Sequence, residues 1–383
     1  MRFTRFVPVV IALVLLVAYQ DCIWIFIRYH SDAYVAIAQH KLSNCLQSSP
    51  THSTQTYPNA NWTELLIRQE RNHTDRWVVY RPSVDLGMCN RILNSLSMLL
   101  FAMATNRTLW VEWEAHDMEY ITANEFAGAT SYDELFVSKL HRNRPSTSII
   151  STPVDEPACF IENLRFSDNL NQVFPQQVVN IHRGDWVGGV LMKNQAYANT
   201  VFKGLNAVEG FPILFRSMFT LHPPQVQPER CNWLIQYRQI WPPPYATAPF
   251  ESFLRCAFAH GMTEADYNTT WVMTDDPVSM FAEASPATKA VLSRMNHPSQ
   301  SHTCRGPCGD RQAMETMYRM SQCRSAVLTQ ASSFGSCITS LAKVSKKLMV
   351  GRYGNCLLGN PQPTDANHRG SYGGLPTYLT DIE

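Results

Sequence analysis

The stretch from Trp77 to Trp113 constrains the fold more than any other part of the chain. Trp77-Val78-Val79-Tyr80 has the apolar, β-branched character of a strand. A loop, RPSVDLGMCNR, follows, with Gly87 at its turn. Ile92, Leu93, Leu96, Leu99, Leu100 and Met103 then recur at helical spacing. Asn106-Arg107 breaks that helix, and Thr108–Trp113 reads as a second strand. Strand, glycine loop, helix and strand make a βαβ unit, which implies a parallel sheet. Gly87 lets a backbone approach a ligand, and Asn90 and Arg91 sit at the helix start, where amides favour anions. A tight turn with a solvated arginine explains the same residues.

Further along, Val178-Val179-Asn180-Ile181 forms a short strand that runs into His182, Arg183 and Asp185. Thr270–Thr274 is a strand ending in Asp275-Asp276-Pro277, and Ala326–Thr329 is one ending in Gln330-Ala331-Ser332-Ser333-Phe334-Gly335. In open α/β sheets, ligands collect where strands stop. If these strands are parallel, as their alternation with helices predicts, the three ends face one crevice. That crevice offers an arginine, carboxylates and hydroxyls, a set that suits a nucleotide diphosphate. Each element also has a plainer reading: an Arg–Asp pair closing a loop, an aspartate capping a helix, a serine at an N-cap. Asp310 is read as the cap of a helix carrying Met314, Met317 and Tyr318. The region 114–175 has no readable chemistry, with helices expected near Thr130–Arg142. Neither a Walker pattern nor a G-x-G-x-x-G is present, which argues against an ATPase or a nicotinamide enzyme.

Composition narrows the setting. The 383 residues carry 32 basic and 31 acidic side chains, which argues against a nucleic-acid partner. Residues 1–28 pair flanking arginines with an apolar run from Phe6 to Ile27, long enough for a bilayer of roughly 30 Å. Leu16-Val17-Ala18 is a poor cleavage site, so the segment reads as a signal anchor with the remainder in the lumen. Sequons at Asn61, Asn72, Asn106 and Asn268 agree with that side of the membrane. So do 11 cysteines, which without Cys22 in the anchor leave an even number for disulfides. Cys304 and Cys308 with His302 lack a second matched pair, and they read as a disulfide-bearing loop rather than a zinc site. Residues 29–76 read as a stem and 360–383 as a tail.

The motifs resemble those of the fucosyltransferase superfamily that covers α1,2-, α1,6- and protein O-fucosyltransferases. DLGMCNRILNSLSMLLFAMATNRTLWVEWE is similar to its first motif, VVNIHRGD to its His-x-Arg-Arg-x-Asp strand end, and WVMTDDP and the Asp310…SSFG segment to its later motifs. The ordered set spans Trp77–Leu348. The resemblance implies a GT-B-like α/β fold, two Rossmann-like lobes facing a central cleft, preceded by the anchor and stem. An N-terminal lobe on the acceptor side would occupy 77–175, and a nucleotide-sugar lobe 176–359. It implies GDP-fucose as donor, inversion at the sugar carbon, no metal or other cofactor, a glycan or glycoprotein acceptor, and a single-pass type II Golgi membrane protein.

Residue by residue, the resemblance places Gly87, Asn90 and Arg91 beside the donor. Arg183 and Asp185 match the second arginine and the aspartate of the strand motif. Asp275 and Asp276 lie on the guanine side, with Asp276 the matching acid. Ser332, Ser333, Phe334 and Gly335 form the phosphate loop, and Asp310 matches a further acid. The chain departs at one point. The family's histidine falls on Asn180 and its first arginine on His182. A neutral imidazole donates one hydrogen bond where a guanidinium would offer a charged fork. Such a loss costs about 3 kcal/mol of transition-state stabilisation. Arg183 or Arg91 would then take over, with His182, Asp185 and Asn90 as the remaining catalytic candidates. The alternatives are a lumenal GDP-sugar- or glycan-binding protein of weakened catalysis, and a transferase using another sugar nucleotide.

Overall fold

The computed structural model describes residues 61–358 with interruptions, chiefly at 72–73, 83–87, 114–131, 141–144, 147–159, 183–187, 206–209, 222–229, 239–247, 275–276, 298–306 and within 331–345. The expected anchor and tail lie outside the described residues. Among the described residues, no helix is long and apolar enough to cross a membrane.

The first half begins with helix α1 (Trp62–Arg71). It buries Leu65, Leu66 and Gln69, so residues 61–71 belong to the folded body rather than to the expected stem. Gln69 fixes the docking: its amide donates to the Arg107 carbonyl and accepts from the Leu109 N–H at 3.0 Å. Strand β1 (Trp77–Tyr80) leads to helix α2 (Met88–Ala104), then to strand β2 (Thr108–Val111). The βαβ unit is present as the sequence predicts, with β1 and β2 parallel. Asn106, in the left-handed region at φ 49°, makes the turn between α2 and β2. Apart from Asn90, every residue of α2 is buried. Such a helix is a central rod packed on all sides, not an amphipathic surface element.

The expected helices near Thr130–Arg142 reduce, among the described residues, to one turn (Tyr132–Leu135) followed by strand β3 (Phe136–Val137). Strand β4 (Val178–Ile181) then pairs with β1, giving the parallel order β2-β1-β4. This corrects the assignment of residues from 176 onward to the second lobe. Short apolar strands and intervening helices fix alternation, but they carry no label for the sheet a strand joins. Helix α3 (Gly188–Met192) packs on α2, with the Gly188 N–H donating to Ser97 Oγ at 3.0 Å. Helix α4 (Gly210–Met218) and strand β5 (Thr220–Leu221) follow, and β5 pairs antiparallel with β3.

The second half carries strand β6 (Trp233–Tyr237), helix α5 (Phe250–Ala259), strand β7 (Thr270–Thr274), helix α6 (Pro277–Glu283), helix α7 (Pro307–Met320) and strands β8 (Ser325–Thr329), β9 (Lys346–Val350) and β10 (Cys356–Leu358). Their order is β10-β9-β8-β6-β7, parallel except for β10. Helix α7 begins at Pro307, so Asp310 is its fourth residue and not its cap. Proline suits the first helical position, and this moves the start upstream of the aspartate. Disulfides Cys231–Cys323 and Cys256–Cys356 tie the loops ahead of β6 and β8, and α5 to β10.

Two cores result. One cluster contains α2 together with Leu234, Ala326 and Leu328 of the second sheet and Met314, Met317 and Met320 of α7. The other fills the opposite face of the second sheet with Ile235, Val272, Val327, Leu348 and Phe253. At the N-terminal edge of the first sheet, buried Arg107 donates to the carbonyls of Phe174 and Gln176 and to Asn171 Oδ1. Burial and the neighbouring Arg76 push its pKa down to about 9. This arginine is a structural clamp on the chain entering β4.

Candidate functional site

The C-terminal edges of the two parallel sheets are where backbone groups and side chains are free to meet a ligand. In the first sheet, Tyr80 is in register with Val111 and with Ile181. The next residues, Arg81, Glu112 and His182, therefore emerge side by side. Arg81 Nε forms an ion pair with Glu112, and Arg81 Nη1 donates to Asn180 Oδ1 at 3.2 Å. The Arg81 and Glu112 side chains are 19% and 15% exposed, so water screens them only partly. His182 is exposed just beyond β4. Asn180 is buried, as are Val179 and Ile181 on either side of it, so both faces of β4 are covered here.

At the start of α2, Asn90 is half-buried and Arg91 is fully buried. The Arg91 guanidinium lies 4.1 Å from the centre of the Trp113 ring. Trp113 heads an aromatic cluster with Tyr132, Phe136 and Phe219. Cation–π contact with a desolvated indole is worth about 2 kcal/mol. The arginine expected beside a donor phosphate is thus engaged inside the core.

The edge of the second sheet is built differently. Gln236, buried in β6, spans to the loop after β8. Its Oε1 accepts from the Thr329 N–H at 3.1 Å, and its Nε2 donates to Ser332 Oγ at 3.0 Å. Ser332 Oγ also accepts from the Gly335 N–H at 3.3 Å. A serine hydroxyl accepting from the N–H three residues on has the geometry of a helix cap. Both acceptor positions of the hydroxyl are taken, and among the described residues no acceptor receives its O–H. Gly335 packs against Gln236: an added Cβ would sit 3.1 Å from Oε1 and 3.4 Å from Leu328. A Cβ here would have to push the Gln236 and Leu328 side chains back by a few tenths of an ångström.

The three strand ends named by the sequence are therefore divided between two sheets. The end of β4 belongs to the first edge, and those of β7 and β8 to the second. Gly87, Arg183, Asp185, Asp275, Asp276, Ser333 and Phe334 lie outside the described residues. Asp310 is placed only by its position in α7. Among the sequons, Asn61, Asn106 and Asn268 are exposed, Asn268 in a 3-10 turn (Glu264–Thr269), and Asn72 lies outside the described residues. Among the described residues, no group of three or more His, Cys, Asp or Glu side chains converges as a metal site.

Sequence reading missed Arg81, Glu112 and Gln236. Arg81 and Glu112 each directly follow a strand, and that position was the available signal. Gln236 lay hidden because β6 sits between Pro-rich segments and was not recognised as a strand.

No protein-family model matches the sequence, and no curated protein does. Solved structures do resemble this chain. A mutant of FUT1 from Arabidopsis thaliana in complex with GDP is 14% identical, covers 78% of each chain, and has a TM-score of 0.50. NodZ α1,6-fucosyltransferase co-crystallised with GDP is 12% identical over 74% of this chain and 97% of its own, with a TM-score of 0.41. The fucosyltransferase NodZ from Bradyrhizobium is 13% identical over 74% and 98%, with a TM-score of 0.40. The first of these shows a shared α/β fold with parallel sheets.

Proposed function

We propose that this chain is a glycosyltransferase that moves fucose from GDP-fucose to a glycan or glycoprotein acceptor, with inversion and without a metal. The observation that carries the reading is the fold shared over 78% of each chain with a FUT1 structure in complex with GDP. The polar edges of the two sheets agree with it.

In this reading the bond from the sugar carbon to the diphosphate breaks, and an acceptor hydroxyl oxygen forms the new bond on the opposite face. The acceptor proton passes to a carboxylate. Asp185 is the first candidate, and Glu112 stands on the same sheet edge, already paired with Arg81. Negative charge grows on GDP as it leaves. Arg183, with His182 and Asn90, stabilises it, because a fixed cation acts most strongly where charge develops. Ser332 offers its remaining O–H, and the loop through Gly335 its backbone amides. Asp275 and Asp276 take the guanine side, and Arg91 holds the start of α2 in place. Residues 1–28 anchor the chain in the Golgi membrane, with residues 29–383 in the lumen.

The test is transfer or hydrolysis of GDP-fucose by the full chain, offered a panel of oligosaccharide and glycoprotein acceptors. Arg183→Lys should lower turnover by about 10²–10³, the cost of one such contact. Unchanged turnover and donor affinity would remove Arg183 from the phosphate clamp.

A second reading rests on His182, which stands exposed where the resemblance places an arginine. It is a lumenal GDP-sugar- or glycan-binding protein of weakened catalysis. GDP binding in calorimetry with no turnover on any acceptor would favour it. A thermal-shift panel of sugar nucleotides tests for a donor other than GDP-fucose.

A further inference from the structure

Two cysteines remain outside the disulfides formed among the described residues, and they are in contact. Cys89 lies in the first turn of α2 and Cys337 two residues beyond Gly335, and both are buried thiols. Cys337 Sγ lies 3.5 Å from the Cys89 carbonyl oxygen. They belong to the one core cluster that joins the first sheet's helices to the second sheet. The chain already forms Cys231–Cys323 and Cys256–Cys356, so its redox setting permits a further bond.

We propose that Cys89 and Cys337 form a structural disulfide that fastens the start of α2 to the loop after β8. Two thiols lose two protons and two electrons as the S–S bond forms. The electrons reduce a disulfide-bearing oxidant, such as glutathione disulfide, to its two thiols. Attack requires a thiolate. Burial and the adjacent Cys89 thiol raise the Cys337 pKa, which makes the closed fold a poor place for exchange. The bond therefore forms while the chain is still folding and resists reductant afterwards. The two residues are 248 positions apart, so the bond closes a long loop and constrains the unfolded chain strongly. It also joins the two elements that carry Asn90 and Ser332, one on each sheet edge. The proposal stands whether or not a sugar nucleotide binds there.

The experiment is peptide mapping of the full chain made through a secretory route, with free thiols alkylated in denaturant before digestion without reductant. The expected result is a cross-linked peptide carrying Cys89 and Cys337, which separates on reduction. Both thiols recovered alkylated would overturn the proposal, and so would either one bonded to a different cysteine. Wild type alone answers this, so a variant that fails to fold costs nothing. Where they fold, Cys89→Ser, Cys337→Ser and the double variant should lower Tm by the same several degrees. Additive losses would mean two independently packed thiols.

Discussion

At the first sheet's C-terminal edge a guanidinium, a carboxylate and an imidazole stand on three neighbouring strands, partly open to water. At the second edge, a buried glutamine and a serine hydroxyl hold a loop against β6 through neutral hydrogen bonds. The first arrangement keeps charge at the boundary with solvent. The second uses neutral side chains to hold a backbone in place. A desolvated charge costs several kcal/mol without a partner, whereas a paired amide costs little. The charged edge therefore stays near solvent, and the neutral edge sinks into the core.

The sharpest way to break this contrast is Arg81→Met, which leaves Glu112 without its cation. We expect a stability loss of about 3 kcal/mol, read as a lowered Tm or denaturant midpoint. Adding Glu112→Leu to it should restore much of that loss, because the uncompensated carboxylate is then gone. If GDP-fucose turnover returns as well, the pair is structural only. If stability returns and turnover does not, the charges serve the chemistry. On the other edge, Gln236→Leu strands the Thr329 N–H and removes a donor from Ser332. It should cost about 2 kcal/mol in chemical denaturation and weaken GDP binding. A milder change in stability than at Arg81 with a larger one in donor affinity would support the division of roles.

A pH experiment addresses the second sheet from its far side. Burial pushes the pKa of Lys347 on β9 down to about 8, from 10.5 in the unfolded chain. Between those values the unfolded chain binds the extra proton, so stability rises with pH across that window. Below about pH 8 the folded chain carries the full cost of the buried charge. Lys347→Met should thus stabilise by about 1–2 kcal/mol at pH 7, an advantage that vanishes above pH 10.5. A Tm difference independent of pH would show that packing alone is responsible. The smallest effect is expected from Ser332→Ala, about 1 kcal/mol, the usual cost of a lost cap. A larger fall in donor affinity than in stability would show that the free O–H is used.

Much of the architecture was legible because strand and helix periods differ. The βαβ unit, β4, β7 and β8 all lie where the apolar patterns place them. The sheet to which β4 belongs was not legible. VVNI reads the same beside β1 as beside β8, and only the hydrogen bonds to Trp77–Tyr80 decide. Strands β6 and β9 were hidden for local reasons, by a glutamine within WLIQY and two lysines opening KKLMV. Polar residues inside a strand break the apolar run when their partners lie 93 or 96 residues away, as those of Gln236 do. The same distance explains why Arg81 and Glu112 were missed, since their relation exists only once β1 and β2 are paired. Arg91 was found, but its environment was misjudged. A helix start predicts exposed amides, and here the side chain turns instead to Trp113.

The burial of α2 on every side has a consequence for how the protein is made. Its cluster includes Met314, Met317, Cys323 and Ala326. When residues through Leu221 have left the ribosome, every strand of the first sheet exists, but one wall of its core does not. At about 5–20 residues per second, the roughly 100 residues up to Cys323 take about 5–20 seconds to arrive. For that interval the nascent first half presents an open apolar flank, and helix α7 and strand β8 of the second half close it.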